Sequence, residues 1–261
     1  MNVDRSVHIH PAAKLRARNV VAIASGKGGV GKTWFSITLA GALARRGRRV
    51  LLFDGDLGLA NVDVQLGLTP PTDLAGVVTG RIGFAEAISS YEAGGFDILP
   101  GRSGSGSLGR LPAERVAMLR LGIVQAARQY DTVLIDLAAG LDQSVRALAA
   151  TAGTALVVTT DEPTSITDAY AFVKAMLRDN PEADQRIVVN MADSQAGGFR
   201  TYETLRNAAQ NFLGVAPRLA GIVRRDKLVR EAIRRQTPLT IRHPNAPAAM
   251  DVDKIAGELT L

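Results

Sequence analysis

Residues Gly26-Lys27-Gly28-Gly29-Val30-Gly31-Lys32-Thr33 constrain this chain of 261 residues more than any other stretch. An apolar run, Val20-Val21-Ala22-Ile23-Ala24, leads into them and reads as a buried strand, and a helical pattern from Trp34 to Arg46 leads out. Strand, glycine loop and helix in that order let backbone N–H groups turn inward around phosphate oxygens, because glycine has no Cβ in the way. The helix adds the positive end of its dipole. Gly28, Gly29, Val30 and Gly31 are therefore candidate phosphate-binding positions. Lys32 is placed to reach β- and γ-phosphates, and the Thr33 hydroxyl to ligate Mg²⁺. Trp34 follows directly; it reads as a core residue bordering the nucleotide, and so as a fluorescence reporter of binding. Lys27 is a second loop lysine that the generic motif does not require.

From Val20 onward, apolar strand-like runs alternate with helical patterns. The runs are Val20–Ser25, Val50–Asp54, Phe96–Leu99, Val133–Asp136, Ala155–Thr160, Ile187–Asn190 and Leu219–Val223. Helical patterns cover Lys32–Arg46, Leu74–Val78, Pro112–Gln129, Gln143–Ala150, Thr164–Arg178, Phe199–Phe212 and Lys227–Arg235. Near-continuous apolar strands separated by helices predict an α/β fold, a mostly parallel, doubly wound sheet with helices on both faces. Residues 1–19 are polar and basic and read as a flexible arm, with one short helix at Ala12–Arg18 and solvated His8 and His10. Residues 20–261 read as one domain, with Gly101–Gly109 a surface loop.

The chain has no cysteine, which removes disulfides, thiolate nucleophiles and cysteine-ligated clusters together. The net charge of +6 permits an acidic or anionic partner but demands none. No apolar run approaches transmembrane length and no secretory core opens the chain, so a cytoplasmic protein is expected.

In open α/β sheets ligands bind beyond the carboxyl ends of the strands. Leu51-Leu52-Phe53 runs into Asp54-Gly55-Asp56, and Val133-Leu134-Ile135 into Asp136. Asp136 has the Walker B arrangement and would hold Mg²⁺ through water. Asp54 is expected nearer the metal, and Asp56 to orient or deprotonate an attacking water. Asp63, further on, reads as structural. Asn190 ends another apolar strand; its amide can read an adenine edge, or it simply forms a turn.

The stretch Lys27-Gly28-Gly29-Val30-Gly31-Lys32-Thr33 resembles the deviant Walker A motif of the MinD/ParA ATPases, in the SIMIBI class of P-loop NTPases. The resemblance implies that Lys27 reaches the partner's phosphates across an ATP-dependent homodimer, as an arginine finger would. Asp54 to Asp63 is similar to the switch I of MinD and its flagellar relatives. Glu162-Pro163-Thr164-Ser165-Ile166-Thr167-Asp168-Ala169-Tyr170, with Ile98-Leu99-Pro100-Gly101, resembles the FlhG/FleN branch. That branch implies ATP hydrolysis with Mg²⁺, ADP as product, and control of flagellar number and placement. The implied partners are the FlhF-type GTPase, C-ring components and a transcription regulator.

Three departures bear on this. Only Ala12-x-x-Leu15-Arg16 stands where relatives carry a GTPase-stimulating element. In Met250–Leu261, Asp251, Asp253 and Glu258 outweigh Lys254, so the tail would attract anionic lipid poorly, and attachment at the inner face of the membrane is left open. Leu137 follows Asp136 where relatives often have Thr. A MinD- or ParA-type ATPase acting in division or on DNA stays open as an alternative, as does a nucleotide-binding regulator with little turnover. The basic helix Lys227–Arg235 reads as a solvated face before it reads as a nucleic-acid contact.

Overall fold

The computed structural model describes residues 15–101 and 111–260. One eight-stranded sheet carries everything else. Its strands are β1 (Ala17–Ala24), β2 (Val50–Gly55), β3 (Ser89–Tyr91), β4 (Phe96–Leu99), β5 (Thr132–Leu137), β6 (Ala152–Thr159), β7 (Asp184–Ala192) and β8 (Arg218–Arg224). They lie in the order β3-β4-β2-β5-β1-β6-β7-β8. Every pairing is parallel except that of β3 with β4.

The inner strands bury both faces: β1 from Val20 onward, and β2 and β5 throughout. They therefore read as unbroken apolar runs rather than alternating ones. One core layer forms where Phe53, Leu119, Ile135 and Phe172 meet on one face. Phe35, Leu39, Leu52, Leu134 and Val252 fill the other. The second layer is built around α1 (Lys32–Ala44), which is buried for most of its length, and a C-terminal helix over Pro247–Glu258. On the first face lie the helices Ala113–Ala126, Gln143–Ala149, Pro163–Asp179 and Gln195–Leu213. β1 sits between β5 and β6, so the connections diverge to either side of it. The crevice at its carboxyl end is the topological switch point.

The expected strands and long helices are present, with ends displaced by a few residues. One correction concerns the arm assigned to residues 1–19. β1 begins at Ala17, which pairs with Ala152 ahead of a bulge. The Arg16 guanidinium donates to the Ala152 and Gly153 carbonyls, and the Asn19 amide to those of Ala127 and Tyr130. These side chains satisfy carbonyls at the lower rim of the sheet, so polar residues are tied down where low hydrophobicity suggested an arm. The helix expected at Ala12–Arg18 is absent over its described part, Leu15–Arg18, which is strand from Ala17. His8, His10 and nearly all of the Gly101–Gly109 loop lie outside the described residues.

Candidate nucleotide and metal site

The glycine loop leaves β1 and closes on the first turn of α1. Gly29 and Gly31 adopt φ of 80° and 85°, left-handed values that a side chain disfavours. At Gly31 a Cβ would also lie 2.6 Å from Asn190 Nδ2. Gly31 caps α1 without a side-chain acceptor, so the first N–H groups of the helix are left for an external anion. Asn190, at the end of β7, is buried and donates Nδ2 to the Val30 carbonyl at 2.8 Å. One N–H of the amide expected to meet adenine is thus bound to the loop itself, which leaves its second N–H and Oδ1 for a ligand.

Lys32 Nζ donates to Ser25 Oγ at 2.8 Å, and Ser25 in turn donates to the Lys27 carbonyl at 2.6 Å. Burial holds the Lys32 pKa below its ordinary value, while Asp136 and Asp56 nearby pull it back up. Asp136 lies beside Ile23 across the β1–β5 pairing and is almost fully buried. It accepts the hydroxyls of Thr33 and of Ser36, the latter at 2.8 Å. Burial pushes its pKa up to about 6, against the pull of those hydroxyls and of Lys32.

Asp54 stands opposite Asp136 in the β2–β5 register. It has no exposed surface, and burial together with the Asp136 charge pushes its pKa up to about 8. Its Oδ1 accepts the Asp56 N–H, and its Oδ2 those of Asn61 and Val62 at 3.1 Å each. Asp54 therefore folds the loop that follows it. The expectation that it stands nearest the metal meets a carboxylate with both oxygens already occupied by backbone. Asp56 turns its Oδ1 to the Gly58 and Leu59 N–H groups and borders the open cavity.

Lys27 points away from the cavity. Its ammonium donates to Glu162 Oε2 at 2.6 Å and to Thr164 Oγ1 at 2.9 Å, and its side chain is 36% exposed. Both partners sit at the start of the helix Pro163–Asp179, whose backbone at Asp168 packs so close to Gly26 that a Cβ there would collide.

A cavity of about 1150 Å³ opens over the loop. Gly28, Gly29, Gly31, Lys32, Thr33 and Trp34 form its floor, and Asn190, Met191, Arg224 and Pro247 one end. Trp34 is 6% exposed, and its indole N–H has no partner among the described residues. Met191 adopts a φ of 56°, a strained value at a cavity wall. Sequence reasoning missed Ser25, Ser36 and the Lys27 partners. Ser36 stands one turn after Lys32 on α1, a spacing that points it at the same strand ends.

Among the described residues no group of three or more His, Cys, Asp and Glu is placed to hold a metal ion by itself. A cation here would have Thr33 and Asp136 from the chain and the rest of its shell from phosphate and water. That suits Mg²⁺, which keeps several waters. The open space beside Gly28 and Gly29, where a Cβ would meet nothing within 4 Å, and the uncapped start of α1 fit a nucleotide phosphate.

Sheet, loop and acids define a P-loop nucleotide-binding protein with a second loop lysine. Residues 21–239 match the family model described as CobQ/CobB/MinD/ParA nucleotide binding domain. The antiactivator FleN of Pseudomonas aeruginosa is 40% identical, covering 91% of this chain and 84% of its own length. The flagellum site-determining protein YlxH of Helicobacter pylori is 30% identical over 92% of this chain and 81% of its own. Among solved structures, the septum site-determining protein MinD of Pyrococcus horikoshii, complexed with Mg-ADP, superposes with a TM-score of 0.73 at 26% identity. It covers 93% of this chain and 96% of its own. The chain belongs to the MinD/ParA family, in its FlhG/FleN branch, and is a P-loop ATPase. Among the described residues no helix is long and apolar enough to cross a membrane.

Proposed function

We propose that this chain is an ATP-driven dimerisation switch that sets flagellar number and placement from the cytoplasm. The observation that carries the reading is the position of Lys27. Lys32 already serves the chain's own phosphate cradle, while Lys27 stands at the rim, partly exposed and bound to Glu162 and Thr164. A lysine so placed serves the phosphates of a second, facing subunit.

The chain's own residues account for slow hydrolysis of ATP by water. Backbone N–H groups from Gly28 to Thr33 hold the phosphates in place. Lys32 in cis and Lys27 in trans stabilise the charge that develops at the leaving oxygens. Thr33 and Asp136 would hold Mg²⁺, whose charge would offset that of the phosphates. Asp56 orients the attacking water through the oxygen its loop leaves free, and Asp54 keeps that loop folded around it. Trp34 and Asn190 border the nucleotide, Asn190 chiefly by bracing Val30. The FlhF-type GTPase, C-ring components and a flagellar transcription regulator are the partners this branch suggests.

Turnover and assembly measured together test the reading. Asp56→Ala is expected to bind ATP, dimerise and hydrolyse at least about a hundredfold more slowly. Normal turnover in that variant contradicts the role given to Asp56. Pull-down with the same variant, loaded with ATP, is expected to recover flagellar proteins. Recovery of chromosomal DNA alone favours a ParA-type role.

A further inference from the structure

The amino ends of the strands form a second edge of the sheet, roughly 25 Å from the glycine loop, the length of β1. A separate cavity of about 490 Å³ opens there and shares no residue with the one over the loop. Three guanidinium groups line it: Arg16 just before β1, Arg18 at its start, and Arg186 in β7. Gly153 in β6 lets the strands close beneath them, since a Cβ there would lie 2.4 Å from the Arg18 carbonyl.

Two of the three are fixed in place. Arg16 donates through Nε and Nη2 to the Ala152 and Gly153 carbonyls. Arg186, its side chain 12% exposed, donates through Nε and Nη2 to Asp184 Oδ2 and through Nη2 to the Thr260 carbonyl. In both, Nη1 keeps its two N–H groups for a ligand. Arg18 is exposed and has no hydrogen-bond or ion-pair partner among the described residues. Asp184 is the one acid in the lining, and both its oxygens are engaged. Its Oδ2 accepts from Arg186 and Thr154, and its Oδ1 from Arg218. Three lining cations against one carboxylate leave two positive charges, and Arg218 beside Asp184 adds to them. Like charges gathered in this way repel, and an anion among them removes that cost.

We propose that this cavity binds the terminal phosphate of a small phosphomonoester. Such a phosphate carries close to two negative charges at neutral pH and three unesterified oxygens, enough to meet all three guanidinium groups at once. A carboxylate brings one charge and two oxygens. A phosphodiester, as in a nucleic-acid strand, likewise brings one charge and two free oxygens. The volume falls within the range of about 300 to 1,000 Å³ found for small-molecule sites, so the organic part of the ester has space beside its phosphate. No residue of this cavity belongs to the nucleotide site, so the proposal stands apart from the proposed function.

The test is calorimetry on the full chain, with Mg-ADP in excess to fill the glycine loop and phenyl phosphate as the probe. Arg18→Ala and Thr260→Asp alter two walls of the cavity. Both side chains are exposed, and circular dichroism checks that the fold is kept. The expected result is saturable binding that falls with added salt and weakens about tenfold or more in each variant, while Mg-ADP affinity is unchanged. Methyl phenyl phosphate, a diester, is expected to bind at least about tenfold more weakly than phenyl phosphate. Absence of saturable binding, binding indifferent to both substitutions, or equal binding of the diester overturns the proposal. So does a protein that takes up vesicles containing phosphatidic acid with the same dependence on Arg18 but does not bind the free ester.

Discussion

The Lys27 ammonium lies 2.6 Å from the Glu162 carboxylate, joining the glycine loop to the first turn of the helix that carries the branch-specific Glu162–Tyr170 stretch. Glu162 is drawn below the usual carboxylate range by that contact. The pair is exposed, so it contributes little to folding. It holds Lys27 inside its own subunit, and under the proposed function dimerisation would exchange it for the partner's phosphates. Glu162→Gln is expected to leave the thermal midpoint unchanged and to shift the ATP-dependent dimer constant by no more than about fivefold. Equilibrium sedimentation with a non-hydrolysable ATP analogue reads that shift.

The carboxyl groups of Asp54 and Asp136 stand side by side at the ends of β2 and β5, and both resist ionisation because they are buried. The sign follows directly. Well below pH 3.8 both groups are protonated in the folded and unfolded chains alike. Above it the unfolded chain ionises freely while the folded one does not, so stability is lost as pH rises through about 6 and 8. Asp136→Asn removes one acid and its repulsion on the other. The nucleotide-free variant should lose less stability between pH 5 and 8 than the wild type, by on the order of 2 kcal/mol in urea titrations. Parallel pH curves for the two proteins contradict this account.

Gly31 and Asn190 form one unit. Gly31→Ala places a Cβ against Asn190 Nδ2 at a left-handed φ, and should cost about 1–3 kcal/mol and abolish nucleotide binding. Asn190→Ala removes the donor to Val30 and leaves a buried carbonyl unpaired, with a similar loss of about 1–3 kcal/mol. Its binding of a fluorescent ATP analogue should weaken while the fold persists. Denaturant titration and nucleotide titration on both variants check the two halves.

Trp34 is the chain's sole tryptophan and floors the cavity. Its emission should change on addition of Mg-ATP, and the signal should vanish in Trp34→Phe, which keeps an aromatic ring at this buried position. A flat emission titration in a protein that binds nucleotide by another readout contradicts the position given to this side chain.

Much of this was legible in the residues. Val50–Asp54 and Val133–Asp136 announced themselves as strands because burial on both faces demands unbroken apolar runs. The fixed spacing of the loop brought Lys32, Thr33 and the strand-end acids together. Short elements were not legible: the three-residue edge strand Ser89–Tyr91 and the five-residue helix Val62–Leu66 are too brief to show a period. Nor were the second partners. Nothing in sequence distance ties Lys27 to Glu162, or Asn190 to Val30; the parallel sheet places those strand ends together, and only the fold reveals which hydrogen bonds they make.

The central claim is that Lys27 acts across a subunit interface, and sedimentation velocity with ATP measures it most directly. Asp56→Ala with ATP should sediment as a dimer, and Lys27→Ala/Asp56→Ala as a monomer that still binds the nucleotide. A double variant that dimerises as fully as Asp56→Ala contradicts the account.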